Sequence, residues 1–364
     1  MDFDLDETHA ELRALAASVL DREADQARLE AHERGGRPYD AGAWKALAQA
    51  GLLGACLPPE AGGAGLGPLA AAVILREAGA RVAPVPALPG LIAALTVAGH
   101  GSDAQRRALA PFAEGEEVLT VAFRAAGAGP GDPPAVIAEE GRLTGRPGIV
   151  PYAAEASAIL VPARSGGGFG LYLVRPGDAR LLPVTSPAGE PSAAVVLEDT
   201  PGEMVGEAGE AGAAGAAGGA AVAALRLNTQ AAVTATASGV LAGALALTKG
   251  HIATRRQFGR VLAEFQAVTM QIADVYIASR ALDVAMWTGV WRLTEGLPAE
   301  RDLAVAARNA AGDAVRALYT CQHLHGGIGL DLTYPLHRYF ALGTHLAHLL
   351  GGEQAQLDLI GALV

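Results

Sequence analysis

Two short stretches carry side chains whose types and spacing could do chemistry. The first is Arg255-Arg256-Gln257-Phe258-Gly259, followed closely by Glu264-Phe265-Gln266. Paired guanidiniums can clamp phosphate oxygens with parallel N–H bonds. Phe258 can cover the flat face of an adenine or a flavin, and Gln266 adds a carboxamide from the next helical turn. Taken alone, this composition favours a plainer reading, a turn between two helices with a solvated basic pair.

The second stretch is Gln322-His323-Leu324-His325-Gly326-Gly327-Ile328-Gly329. Its glycines permit positive φ and close approach of backbone N–H groups to a phosphate. Glycine is also routine at helix ends, and no strand precedes the cluster, so it does not match the dinucleotide fingerprint. His323, His325, His337, His345 and His348 crowd the same third of the chain, and His345 and His348 share a helix face. A zinc site would need convergent cysteine or carboxylate support, which the local sequence does not offer, so no metal site is expected.

The elements that must position these stretches fall in blocks. Residues 1–115 read as helical: Leu12, Leu15, Ala16, Val19 and Leu20 recur at helical spacing, as do Trp44, Leu47, Ala48 and Leu52. Residues 116–205 hold short apolar runs divided by Gly and Pro, such as 118–123, 135–138, 159–161, 171–174 and 193–197, which predict a small antiparallel sheet or barrel. Residues 206–224 are built mainly from Gly, Ala and Glu, and read as a flexible connection. From 225 to 364 the chain is helical again, with small residues along 228–254 that suit a close-packed bundle. Helix, sheet and helix in separate blocks predict an α+β protein and argue against an alternating parallel fold.

The totals narrow the function classes. The chain has 364 residues, 51% hydrophobic and 18% charged, with a net charge of -11. It offers no basic surplus for a nucleic-acid role. The apolar stretch 213–227 is alanine and glycine, too weakly hydrophobic for a membrane span. Cys56 and Cys321 lie in apolar segments and read as free buried thiols, and the acidic N-terminus is unlike a targeting peptide. A cytoplasmic protein is expected.

Arg255-x-Gln257-Phe258-Gly259 with Phe265-Gln266, then Gly326-Gly327-x-Gly329 with Tyr334-Pro335, is similar to the C-terminal half of acyl-CoA dehydrogenases. Trp44, Gly51-Leu52-Leu53, Leu57-Pro58-Pro59-Glu60 and Gly62-Gly63 resemble that family's helical entry domain. Leu143-Thr144-Gly145 and 156–162 resemble strands of its middle domain. The resemblance spans nearly the whole chain, in order. It implies an N-terminal helical domain, a middle antiparallel β domain and a C-terminal four-helix bundle. It also implies FAD and an acyl-CoA substrate, with electrons passed to an electron-transfer flavoprotein. Cofactor contacts are carried over to Arg255, Gln257, Phe258, Gln266, His323, Gly326 and Gly327. In such enzymes a glutamate removes the acyl α-proton while the flavin takes a hydride from the β-carbon.

The chain departs from that pattern at the base. Counting from Gly326 and Pro335 puts Leu350 where the family's glutamate stands, and counting back from Phe258 puts Thr229 where one branch keeps it instead. Neither side chain accepts a proton at neutral pH. The flavin loop becomes 124–130, with Arg124 first and Pro130 last. The ring-lining segment becomes Ile149-Val150-Pro151, where proline removes an N–H. Since the 255–266 stretch, which in the family serves a dimer neighbour's flavin, is intact, the resemblance implies a base-deficient subunit that works beside a glutamate-bearing homologue. It extends to actinobacterial mixed tetramers, some of them acting on steroid side-chain thioesters. The alternatives are a self-sufficient flavoenzyme using Glu353 as a displaced base, or an assembly subunit without flavin.

Overall fold

The computed structural model describes residues 5–123, 128–129, 132–206 and 214–363. Seven helices come first: α1 (Glu7–Glu23), α2 (Gln26–Gly35), α3 (Ala41–Gln49), α4 (Gly67–Ala80), α5 (Ala87–His100), α6 (Asp103–Arg107) and α7 (Ala110–Ala113). Their starts are written locally. Asp6, Asp25 and Asp40 each accept the N–H three residues on, and Ser102 with Gln105 closes a capping box. Trp44, Leu47, Leu52, Ile74 and Leu91 form the centre of the shared core.

The middle unit comprises β1 (Leu119–Val121), β2 (Ile137–Glu139), β3 (Arg142–Pro151), β4 (Ala158–Ser165), β5 (Gly168–Val174), β6 (Arg180–Thr185), β7 (Pro191–Pro201) and β8 (Glu203–Met204). They form one sheet in the order β6-β7-β3-β2-β4-β5-β8, with β1 alongside β4. The sheet is mainly antiparallel, as expected, with two local departures: β1 and β2 both run parallel to β4. β1 and β2 are three-residue segments joined to β4 through intervening chain and not by a tight turn, so either direction is open to them there, and only the hairpin-linked strands are bound to alternate.

Six helices complete the chain: α8 (Ala214–Thr254), α9 (Gln266–Thr294), α10 (Glu300–Ala311), α11 (Asp313–His325), α12 (Leu336–Leu349) and α13 (Gly352–Ala362). Between α8 and α9 lies a two-stranded hairpin, β9 (Arg256–Gln257) and β10 (Arg260–Val261). α8 to α11 form the bundle, and α12 and α13 pack onto it. The flexible connection expected over 206–224 is also corrected: from Ala214 onward it belongs to α8. Alanine is the strongest helix former, and burial of Ala221, Val222 and Leu225 stabilises that turn beyond what the glycines cost.

At 41 residues, α8 is about 60 Å long and is the spine of the molecule. Most of its apolar length is buried inside the fold. Glycine permits its closest crossing, with α4: a Cβ on Gly239 would lie 1.9 Å from the Arg76 carbonyl oxygen, and one on Gly79 would lie 2.3 Å from that of Thr236. Beside that crossing Arg76 donates to Ser238 at 3.0 Å and to Asp283 at 3.1 Å, tying α4, α8 and α9 together.

Candidate functional site

Thr229 on α8 and Leu350, between α12 and α13, line a single cavity of about 280 Å³. Its other walls include Phe123 after β1, Pro162 of β4 and Gln356 of α13. The two positions where the resemblance seeks a base therefore meet at one place. Neither can serve. The Thr229 hydroxyl donates to the Leu225 carbonyl at 2.7 Å, and Leu350 is an apolar side chain 3% exposed.

Gln356 holds this wall together, and sequence reasoning missed it. It is fully buried; its Nε2 donates to the Leu350 carbonyl at 2.5 Å and its Oε1 accepts from Gln230 Nε2 at 3.3 Å. A buried carboxamide so satisfied is neutral and takes no proton. The cavity's two carboxylates among the described residues, Asp132 and Glu300, are both solvent-exposed. Asp132 already accepts the Gly129 N–H at 2.6 Å.

Glu353, the displaced base considered from the sequence, is corrected by its surroundings. It is not on the cavity wall. Arg308 donates to it at 2.6 Å and Arg316 at 2.8 Å. The hydrogen bond from Arg316, reinforced by the positive charges of Arg316 and Arg308, holds its carboxyl below the usual glutamate range. A carboxylate held in its charged form by two guanidiniums is a poor proton acceptor. It is a structural link joining α13 to α10 and α11.

The 255–266 stretch forms a projecting hairpin. Phe258 and Gly259 occupy its two-residue turn with φ of 51° and 82°, the positive pair that a tight hairpin requires. Arg255, Arg256, Gln257 and Gln266 are exposed, and Phe258 is 90% exposed. The base of the hairpin is firm: Phe265 meets Phe258 edge-on at 6.3 Å, and Arg260 lies 4.0 Å over the Phe265 ring. Cations, carboxamide and a phenyl ring thus stand together with no cover from their own chain. That fits a dinucleotide's phosphates and flat rings held at a neighbouring molecule.

The glycine turn sits next to this arm. His251, in the last turn of α8, stacks on His325 with ring centroids 4.3 Å apart and planes at 23°. His325 Nδ1 donates to the Cys321 carbonyl at 2.8 Å, leaving Nε2 to accept the Tyr334 hydroxyl at 3.1 Å. Burial, then the proximity of His325 and Arg255, lowers the His251 pKa; burial lowers that of His325. Gly326 follows with φ 65°, and its N–H caps α11 by donating to Gln322 and His323. That N–H is committed to the helix end and is not a phosphate donor. Gly327 and His323 are exposed beside it.

The chain's own ring-lining segment is poorer. Pro151 has no N–H, and its carbonyl already accepts the Thr120 hydroxyl at 2.6 Å. Of the loop 124–130, only Ala128 and Gly129 fall within the described residues. The two histidines sharing a face of α12 resolve to packing: His345 Nε2 lies 2.6 Å from Glu190 without hydrogen-bond alignment, and His348 Nδ1 donates to the Thr344 carbonyl.

With helical, sheet and helical units around that cavity, comparison with known proteins is decisive. Residues 6–116 match the model of the acyl-CoA dehydrogenase N-terminal domain, and residues 217–364 match that of the C-terminal domain. The chain belongs to the acyl-CoA dehydrogenase family. It is 36% identical to the acyl-CoA dehydrogenase FadE28 of Mycobacterium tuberculosis, over 100% of this chain and 98% of the relative. Its fold matches a chain of a variant of the Tcur3481-Tcur3483 steroid ACAD with a TM-score of 0.90 and 36% identity, covering 98% of this chain and 97% of that one. It matches a chain of the ChsE4-ChsE5 complex from Mycobacterium tuberculosis with a TM-score of 0.91 and 30% identity, covering 100% and 98%.

Proposed function

We propose that this chain is the base-deficient, cofactor-sharing subunit of a heteromeric, FAD-dependent acyl-CoA dehydrogenase. The observation that carries the reading is the shared cavity of Thr229 and Leu350, which lacks a buried carboxylate at either position. Resemblance to chains from the ChsE4-ChsE5 and Tcur3481-Tcur3483 complexes supports a partner subunit; on this reading that partner is a homologue that brings the glutamate.

Bound FAD would supply a hydride acceptor for the acyl β-carbon. This chain's part is to hold that cofactor in the partner's site. Arg255 would neutralise the diphosphate, Gln257 and Gln266 would hydrogen-bond its polar edges, and Phe258 would cover a ring. His323 and Gly327 would border the same region, with Gly326 shaping the turn. An electron-transfer flavoprotein would take the electrons, and the cytoplasm is the expected compartment.

The test is turnover of an acyl-CoA with an artificial electron acceptor, by the chain alone and after co-expression with a glutamate-bearing homologue. The reading requires activity only in the mixed complex. Full turnover by the chain alone would overturn it.

A further inference from the structure

A second cavity, of about 540 Å³, lies where the N-terminal helices, the sheet and α12 meet, and it shares no wall residue with the Thr229–Leu350 cavity. Its size falls within the range of small-molecule pockets, about 300–1,000 Å³. Leu29, Leu75, Val85, Leu88 and Leu342 give it an apolar body.

Two residues on its wall are held in a conformation that L side chains rarely adopt. Val82 has φ 44° and Tyr152 has φ 52°. Val82 ends α4 where glycine is the usual choice, and a β-branched residue there is a genuine outlier. Surrounding hydrogen bonds impose both geometries: Ala83 N–H donates to Ala78, and Tyr152 N–H donates to Pro191 at 2.7 Å. Such strain persists where the fold is built to present a particular surface.

The wall's polar groups divide into sealed and open ones. Arg338 is fully engaged by Glu33 and Gln26, so it offers nothing to a ligand. Arg37, exposed on the wall, has no hydrogen bond or ion pair among the described residues. Tyr152 is only 4% exposed, its ring fixed edge-on by Tyr39 at 6.3 Å, yet its phenol has no partner among the described residues. Tyr152 lines the cavity with its hydroxyl uncommitted, so a ligand there can accept its hydrogen bond.

We propose that this cavity binds an amphipathic anion, an apolar body carrying one carboxylate, with Arg37 facing the charge and the Tyr152 phenol donating a hydrogen bond. The site stands apart from the proposed heteromeric role and does not depend on it.

Decanoate and decan-1-ol titrated calorimetrically into the full-length chain test the proposal. Saturable decanoate binding is expected, with Arg37→Gln weakening it about five- to tenfold and leaving decan-1-ol unchanged. Tyr152→Phe should weaken decanoate binding with the thermal midpoint preserved, and Ala341→Phe, which fills the cavity, should abolish binding of both probes. Arg37 is exposed, so its variant folds even if the others do not. Absence of saturable binding, equal binding of the two probes, or decanoate binding indifferent to Arg37→Gln would each overturn it.

Discussion

Thr229 in the middle of α8 and Leu350 at the junction of α12 and α13 are far apart in the chain, yet they form two walls of the same cavity. Each stands where the resemblance to acyl-CoA dehydrogenases would put a catalytic glutamate. On the proposed reading, their convergence makes the missing base a property of one site.

Leu350→Ala should therefore act on stability and not on chemistry. Truncating a leucine 3% exposed costs about 2–4 kcal/mol through lost burial and a residual cavity. Turnover per bound flavin in the mixed complex should stay within about twofold of the parent. Chemical denaturation with parallel kinetics separates the two.

Phe258→Gly should separate cofactor contact from folding. The turn already has φ 51° at this position, so glycine relieves strain and leaves thermal stability equal or slightly higher. Removing an exposed ring proposed to cover the cofactor should weaken flavin retention in the complex about tenfold. Flavin absorbance after gel filtration reads this directly.

Glu353→Gln should leave turnover intact, because the carboxylate is engaged by Arg308 and Arg316 and lies off the cavity wall. Since the depressed pKa contributes stability above the unfolded glutamate range and loses it on acidification, the variant should also show a shallower stability loss as pH falls below about 4.5. Thermal melts from pH 6 to 3 check the sign, and loss of activity on this substitution would restore Glu353 as the base.

The His251–His325 stack gives a second pH window. Both folded-state pKa values are lowered, so the unfolded chain binds more protons just below the ordinary imidazole range. Stability conferred by this pair is fully present above about pH 6.5 and declines as pH falls through the lowered folded values. His251→Phe should keep the stack and flatten that decline, as measured by urea midpoints between pH 7.5 and 5.

The sequence made visible what is local. The Arg255–Gln266 arm could be read as a break between two helices because its turn chemistry and its cations sit within a dozen residues. What escaped depends on distant partners. The first turns of α8 resemble a linker until Ala221 and Val222 find their core. The parallel pairing of β1 with β4 is fixed across the sheet, not along the chain. Gln356 looks like one more polar residue near the C-terminus, and only the Leu350 carbonyl and Gln230 reveal why it is buried. The Gly326 turn was legible as a turn, but its direction, with the N–H committed to capping α11, required the fold.

Flavin content of the purified mixed complex tests the central claim most directly. Counted against protein by absorbance after denaturation, the account predicts one FAD per heterodimer, and none retained by this chain when it is purified alone. Two FAD per heterodimer, with this chain alone yellow and active toward acyl-CoA, would contradict it.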